Sequence, residues 1–298
     1  MNAFLLLVVC LVLGWLAARL GRPPPALSKS LNWWVLNVAY SALVLSLIPR
    51  LSFDWHLWFL VASIWFVFLA GWAFFSVLGR VLHWSPARIG ALTLVGGLGN
   101  TSFIGFPLIE AMRGEEGLKL ALIADQVGCF VAFAVGGTII AAMYSGRSVS
   151  KLTVARRVIL FPPFISLFVG MAIGALGGWP EAIESILARL GATLVPLALF
   201  SVGLQFRLQL GEGQLAAIGW SLGWKLLLGP AIVWAVGLAI GVGGDVLAVA
   251  VLESAMAPMI SATILADQNK LEPQLANTIL GIGILLSFIT VPLANALL

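Results

Sequence analysis

Charge is scarce in this chain. Asp, Glu, Lys and Arg make up 9% of the residues, against 61% that are hydrophobic. A soluble domain carries about 25% charged residues, so a water-solvated globule is excluded and lipid is the expected solvent. No polar stretch is long enough to hold an attached soluble domain. Cysteine is equally rare. Cys10 and Cys129 both fall in apolar runs, which excludes a disulfide framework and a CxxC metal site and leaves them as small core hydrophobes. Catalytic signatures are missing as well: there is no HExxH and no GxSxG, and both histidines, His56 and His83, fall in loops. The glycines of Gly96–Gly99 follow no strand, which argues against a nucleotide loop. The net charge of +4 is too small to point to nucleic acid. An enzyme is therefore not expected, and no cofactor is implied beyond a coupling ion.

What the chain does have is long apolar runs. Stretches of roughly 17–25 apolar residues can span a bilayer as helices. Ten fit that description: 3–20, 31–49, 57–78, 88–112, 118–144, 160–178, 186–206, 214–241, 245–267 and 274–297. The first lacks a basic segment before its apolar stretch, and Arg19 and Arg22 follow it, so it reads as a retained span and not as a signal peptide. Short cytoplasmic loops hold the excess of Lys and Arg. Loops after odd-numbered spans hold eleven, among them Arg22, Lys29, Arg147, Arg156, Arg157, Arg207 and Lys270; the alternate loops hold four. Both termini are expected outside. The longest polar connection then divides the chain into a five-helix repeat over 1–145, a cytoplasmic linker at 146–159 and a second repeat over 160–298. Five spans per half reverse the entry side of the second, which makes the repeats inverted. Ser41-Ala-Leu-Val-Leu and Pro196-Leu-Ala-Leu-Phe give a faint internal echo, also open to coincidence in an apolar alphabet.

Two of the spans are broken in the middle. Span 4 contains GGLGNTSFIGFP, Gly96 to Pro107, and span 9 contains ESAMAPMIS, Glu253 to Ser261. Paired interruptions at corresponding places in two halves mark a transporter's binding site. At 1.5 Å per residue both fall roughly 13–20 Å into a hydrocarbon layer about 30 Å thick. Proline cannot bond the carbonyl four residues earlier, so Pro107 frees that of Phe103 and Pro258 that of Ser254. Bare backbone at that depth is tolerated only inside protein or beside a wet cavity. Half-helix ends supply amides for an anion and carbonyls for a cation. A packing kink would explain one break; two at matched depth, with Asn100, Thr101 and Ser102 in one of them, favour a site.

Ionisable residues inside a bilayer are costly and usually functional. Glu253 stands just before the second break, suited to carry a proton or to ligate Na+, with capping of broken backbone as the structural alternative. Asp125 in span 5 and Lys225 in span 8 could pair. Lys225 could instead serve the exposed carbonyls or a substrate's charge, or snorkel to the cytoplasmic surface. Asn277 ranks above Asn37 as a pathway residue, because it follows the second break in the next span.

GNTSFIGFPLIEA, VPLALFSVGLQ, WKLLLGPAIV and AMAPMISATILA together resemble the auxin efflux carrier family, which includes bacterial permeases for malate, malonate and related acids. The resemblance implies an all-α membrane protein of ten transmembrane helices, an inverted five-plus-five repeat and crossed broken helices 4 and 9. It implies a scaffold of helices 1, 2, 6 and 7 and a moving core of 3, 4, 5, 8, 9 and 10, with the crossover formed by Asn100, Thr101 and Pro107 against Met256, Ala257 and Pro258. Ser41 stands where relatives often carry proline, and the plant carriers' long loop is missing. The expected function is secondary transport of a small organic anion across a bacterial inner membrane by an elevator movement. The expected partners are that anion and membrane lipid, with a homodimer through the scaffold helices left open; Na+ or H+ is the coupling ion. A cation/proton antiporter or sodium symporter of the same fold, and a membrane ligand sensor, are the alternatives.

Overall fold

A computed structural model of the chain describes residues 2–21, 23–51, 55–146, 150–206 and 213–298. Arg22, Arg147 and Arg207, which enter the orientation count, lie outside the described residues, as does part of the expected linker. The described residues form twelve helical runs and no β-strand. These are α1 (Asn2–Leu20), α2 (Leu27–Arg50), α3 (Trp55–Val81), α4 (Pro86–Gly97), α5 (Thr101–Ser145), α6 (Lys151–Ile159), α7 (Pro162–Ala175), α8 (Glu181–Gln205), α9 (Leu215–Ala239), α10 (Gly244–Ser254), α11 (Ile260–Gln268) and α12 (Pro273–Leu297).

Six of these runs, α2, α3, α5, α8, α9 and α12, are long and apolar enough to cross a bilayer, and α7 and most of α1 are shorter apolar helices. The chain is a multi-pass membrane protein. The helical path of α5 is interrupted by a kink at Gly114, whose φ of 66° lies in the region that favours glycine. α4, α10 and α11 hold 12, 11 and 9 residues, each under about 20 Å long and too short to cross alone. They stand where spans 4 and 9 were expected to be broken. α2 contains a π turn at Val35–Ala39 ahead of Ser41, so this helix is distorted there without a proline at position 41.

Two compact units make up the fold: Met1–Asp54 with Ser102–Leu122 and Arg156–Phe206, and Trp55–Thr101 with Ile123–Ala155 and Arg207–Leu298. In the first, α1 and α8 touch backbone to backbone. A Cβ added at Gly14 would come within 2.1 Å of the Phe200 carbonyl oxygen, and one at Gly203 within 2.2 Å of that of Leu11. Small residues at such contacts let membrane helices gain packing that lipid cannot supply. Gly170 and Gly174 act in the same way, lying against Ile48 and Pro49. In the second unit Phe68, Phe75, Leu92, Leu94, Leu98, Leu275 and Ile279 share one apolar core. Arg88 in the first turn of α4 pairs with Glu272 ahead of α12 at 3.0 Å, fixing the entry of the first broken helix.

The α1–α8 contact is open to direct test. Gly203→Ala places a methyl against backbone that cannot yield, with an expected cost of about 1–3 kcal/mol, read as a lower thermal-unfolding midpoint in detergent. Gly219→Ala, where nothing lies within 4 Å, should not lower it.

Candidate functional site

α4 ends at Gly97 for local reasons. Gly96 and Gly97 each cost about 1 kcal/mol against alanine in a helix. Close packing keeps them: a Cβ there would come within 2.6 Å of the Phe75 ring and 2.9 Å of the Phe68 ring. Leu98 then turns extended, with φ −107° and ψ 126°. In the other half, Pro258 drives the preceding Ala257 out of the helical region. α10 accordingly stops at Ser254, and Met259 is extended at φ −74° and ψ 129°.

The two extended pieces lie antiparallel. Gly99 faces Pro258, the Asn100 amide donates to the Ala257 carbonyl at 2.7 Å, and the Met259 amide donates to the Leu98 carbonyl at 3.0 Å. Gly99 and Pro258 thus form the non-hydrogen-bonded pair of the rung. That is the position where a missing N–H leaves nothing unmet, so the residue that breaks α10 also fits the pairing that follows.

Side chains complete the crossing from two further helices. Lys225, 1% exposed, lies in a π turn of α9 at Trp224–Leu228. Its Nζ donates to the Ser254 carbonyl at 2.9 Å, the carbonyl four residues before Pro258. Asp125 and Cys129 lie in a π turn of α5 at Ala124–Cys129. The Cys129 thiol donates to the Gly99 carbonyl at 3.2 Å, and the Thr101 hydroxyl donates to Asp125 Oδ1. A Cβ on Gly99 would come within 2.9 Å of Lys225 Nζ and 3.3 Å of the Glu253 carbonyl oxygen; glycine is what lets the ammonium in. Glu253 is fully buried, and among the described residues neither of its carboxyl oxygens has a hydrogen-bond partner; the same holds for both polar atoms of the Gln126 side chain.

The structure therefore brings Asn100, Thr101, Asp125, Lys225, Glu253, Ala257 and Pro258 into the second unit's crossing, with Met256 buried in the same break. It corrects Pro107. The break lies at Leu98–Asn100, and Pro107 sits inside the helical run just after a π turn at Thr101–Gly105; the wider turn accommodates the missing amide. Gly99, and not Pro107, is the partner of Pro258. Ser102 and Pro107 belong to the first unit. Asn277 is exposed near the start of α12 while Ala276 and Thr278 are buried, because helical periodicity turns it to the outer face. Lys225 is buried and does not snorkel. Cys129 was missed as a polar group; a buried thiol beside glycine-rich broken backbone was the available signal.

A cavity of about 320 Å³ lies in the first unit, lined by residues that include Ser46, Pro49, Arg50, Gly174, Trp179 and Glu184. Among the described residues its one cation is Arg50, which is paired with both Glu184 and Glu115. That pairing removes the charge an anion would seek.

Residues 1–294 match the family described as "Membrane transport protein". An uncharacterized transporter of Methanothermobacter thermautotrophicus is 25% identical, covering 98% of this chain and 96% of the relative. One from Methanocaldococcus jannaschii is 27% identical over 92% of this chain and 91% of its own length. A Rhizobium meliloti protein whose name reads "Putative malonate transporter" is 26% identical over 78% of this chain and 73% of its own.

The contact between Gly99 and Lys225 predicts non-additive stability. Lys225→Met leaves the Ser254 carbonyl unsatisfied, at about 1–3 kcal/mol, and Gly99→Ala crowds the ammonium at a similar cost. Together they should destabilise less than the sum, with a coupling of about 0.5–3 kcal/mol in detergent unfolding. Strict additivity would contradict the geometry.

Proposed function

Because this chain belongs to the membrane transport protein family, the auxin efflux carrier family that its motifs resemble, we propose that it is a secondary transporter of small carboxylates and that the crossing binds the acid. The observation carrying this reading is the paired break itself: two helices stop and restart at one place, and the rung between Asn100 and Ala257 holds their ends together. α11 begins without a side-chain cap. The first amides of any helix lack intrahelical partners and attract anions. The Asn100 side chain, beside that end of the rung, is the proposed hydrogen-bonding group for the substrate. Thr101, whose hydroxyl already donates to Asp125, is proposed to act through that carboxylate.

The finer features of the mechanism belong to the same proposal. Ten spans form an inverted repeat in a bacterial inner membrane with both termini outside, and the core carries the crossing past the scaffold in an elevator movement. The relative named for malonate supports a short dicarboxylate as the first candidate. A cation/proton antiporter of the same fold is the second reading, favoured by the burial of Asp125, Lys225 and Glu253. Proton release from proteoliposomes on addition of Na+ alone would select it.

Purified protein in liposomes loaded with unlabelled malonate should take up labelled malonate by counterflow. Asn100→Ala should reduce the rate at least about tenfold, the loss of one hydrogen bond to a charged group worth about 1.5–3 kcal/mol. Wild-type rates in Asn100→Ala remove the binding assignment. Binding of malonate without flux points to a ligand sensor instead.

A further inference from the structure

The charges at the crossing do not balance. Asp125, Lys225 and Glu253 are 3%, 1% and 0% exposed. Two of them have a local electrostatic role. Asp125 accepts from Thr101, the first residue of α5, where the amide end of a helix favours negative charge. Lys225 holds the last carbonyl of α10, where positive charge is favoured.

Glu253 has neither advantage. It is the penultimate residue of α10, so an ionised carboxylate there would face the carbonyl end that disfavours it. The groups acting on it are Asp125 and Cys129 from α5 and Lys225 from α9. Lys225 is the one cation among them, and its ammonium bonds the Ser254 carbonyl, while Glu253 has no hydrogen-bond partner among the described residues. The formal charges of Asp125 and Lys225 cancel. An ionised Glu253 would add an uncompensated buried charge, which burial away from water disfavours.

We propose that Glu253 carries a proton in this state, that its uptake and release of that proton couple transport to a pH gradient, and that Lys225 is the fixed cation occupying the carbonyl end where Na+ would otherwise bind. The proposal rests on the reading of the chain as a carboxylate transporter. In the step itself, the Glu253 carboxylate takes a proton from hydronium on the side to which the site opens, so that a hydronium O–H bond breaks, a carboxyl O–H bond forms and water is left. It crosses as the neutral acid together with the substrate anion and returns the proton to water on the other side, the carboxyl O–H bond breaking as hydronium re-forms. Sodium has no place in the cycle because the ammonium is 2.9 Å from the Ser254 carbonyl oxygen and repels a second cation.

Two measurements test this, one of them without any substrate. Infrared difference spectra of wild type against Glu253→Gln at neutral pH should show loss of a protonated carboxylic acid band; loss of carboxylate bands alone overturns the proposal. In proteoliposomes, malonate counterflow in the wild type first establishes transport. A pH gradient should then drive accumulation of about tenfold per pH unit for one proton, and a Na+ gradient none. Glu253→Gln should still exchange malonate but hold it at equal concentrations inside and out, whereas Glu253→Asp, which keeps a titratable group, should accumulate it. Accumulation by Glu253→Gln, or accumulation driven by Na+, overturns the proposal. Absence of wild-type counterflow overturns the carboxylate reading instead, and the infrared result still decides the protonation of Glu253.

Discussion

One rung of antiparallel backbone, Gly99 opposite Pro258, is the constraint on which the rest of this site depends. A helix that stops inside a membrane exposes amides and carbonyls that lipid cannot satisfy, at several kcal/mol each. Here the breaks satisfy one another. Asn100 and Met259 donate across to Ala257 and Leu98, while Cys129 and Lys225 take the carbonyls of Gly99 and Ser254. Residue choice follows from that requirement. Proline ends α10 and occupies the ladder position that needs no donor, and glycine opposite it leaves room for an ammonium.

Electrostatics follow from the same crossing. Breaking a helix creates two dipole ends where a continuous helix has none. Asp125 is tied through Thr101 to the amide end of α5, and Lys225 to the carbonyl end of α10, so the crossing carries its own counter-charges. Both side chains project from π turns, local widenings that are frequent at functional sites. An ionised Glu253 would be an excess charge at the crossing, and the coupling proposal follows from that.

Much of this was legible in the sequence, for physical reasons. Apolar run length located the helices, because burying backbone in lipid needs a helix of defined length. Gly96, Gly97 and Pro258 located the breaks, because each residue disfavours helix by a known mechanism. The freed carbonyl of Ser254 was deducible from the spacing to Pro258. Its partner was not: Lys225 pairing depends on the register between α9 and α10, which no local pattern encodes. Pro107 misled for a related reason. Proline is tolerated after a π turn, and nothing in IGFP announces that turn. Chain proximity to the break favours Asn277, whereas the face of α12 decides its exposure. The π turns themselves have no sequence signature.

The pairing can be measured directly. Residues opposite one another in an antiparallel pair have Cα atoms about 4.5–5.5 Å apart, within the range a disulfide spans. In a background lacking Cys10 and Cys129, Asn100→Cys combined with Ala257→Cys should form an intramolecular disulfide on mild oxidation in membranes. Failure to link, even with a short bifunctional thiol reagent, would show that the broken segments do not meet.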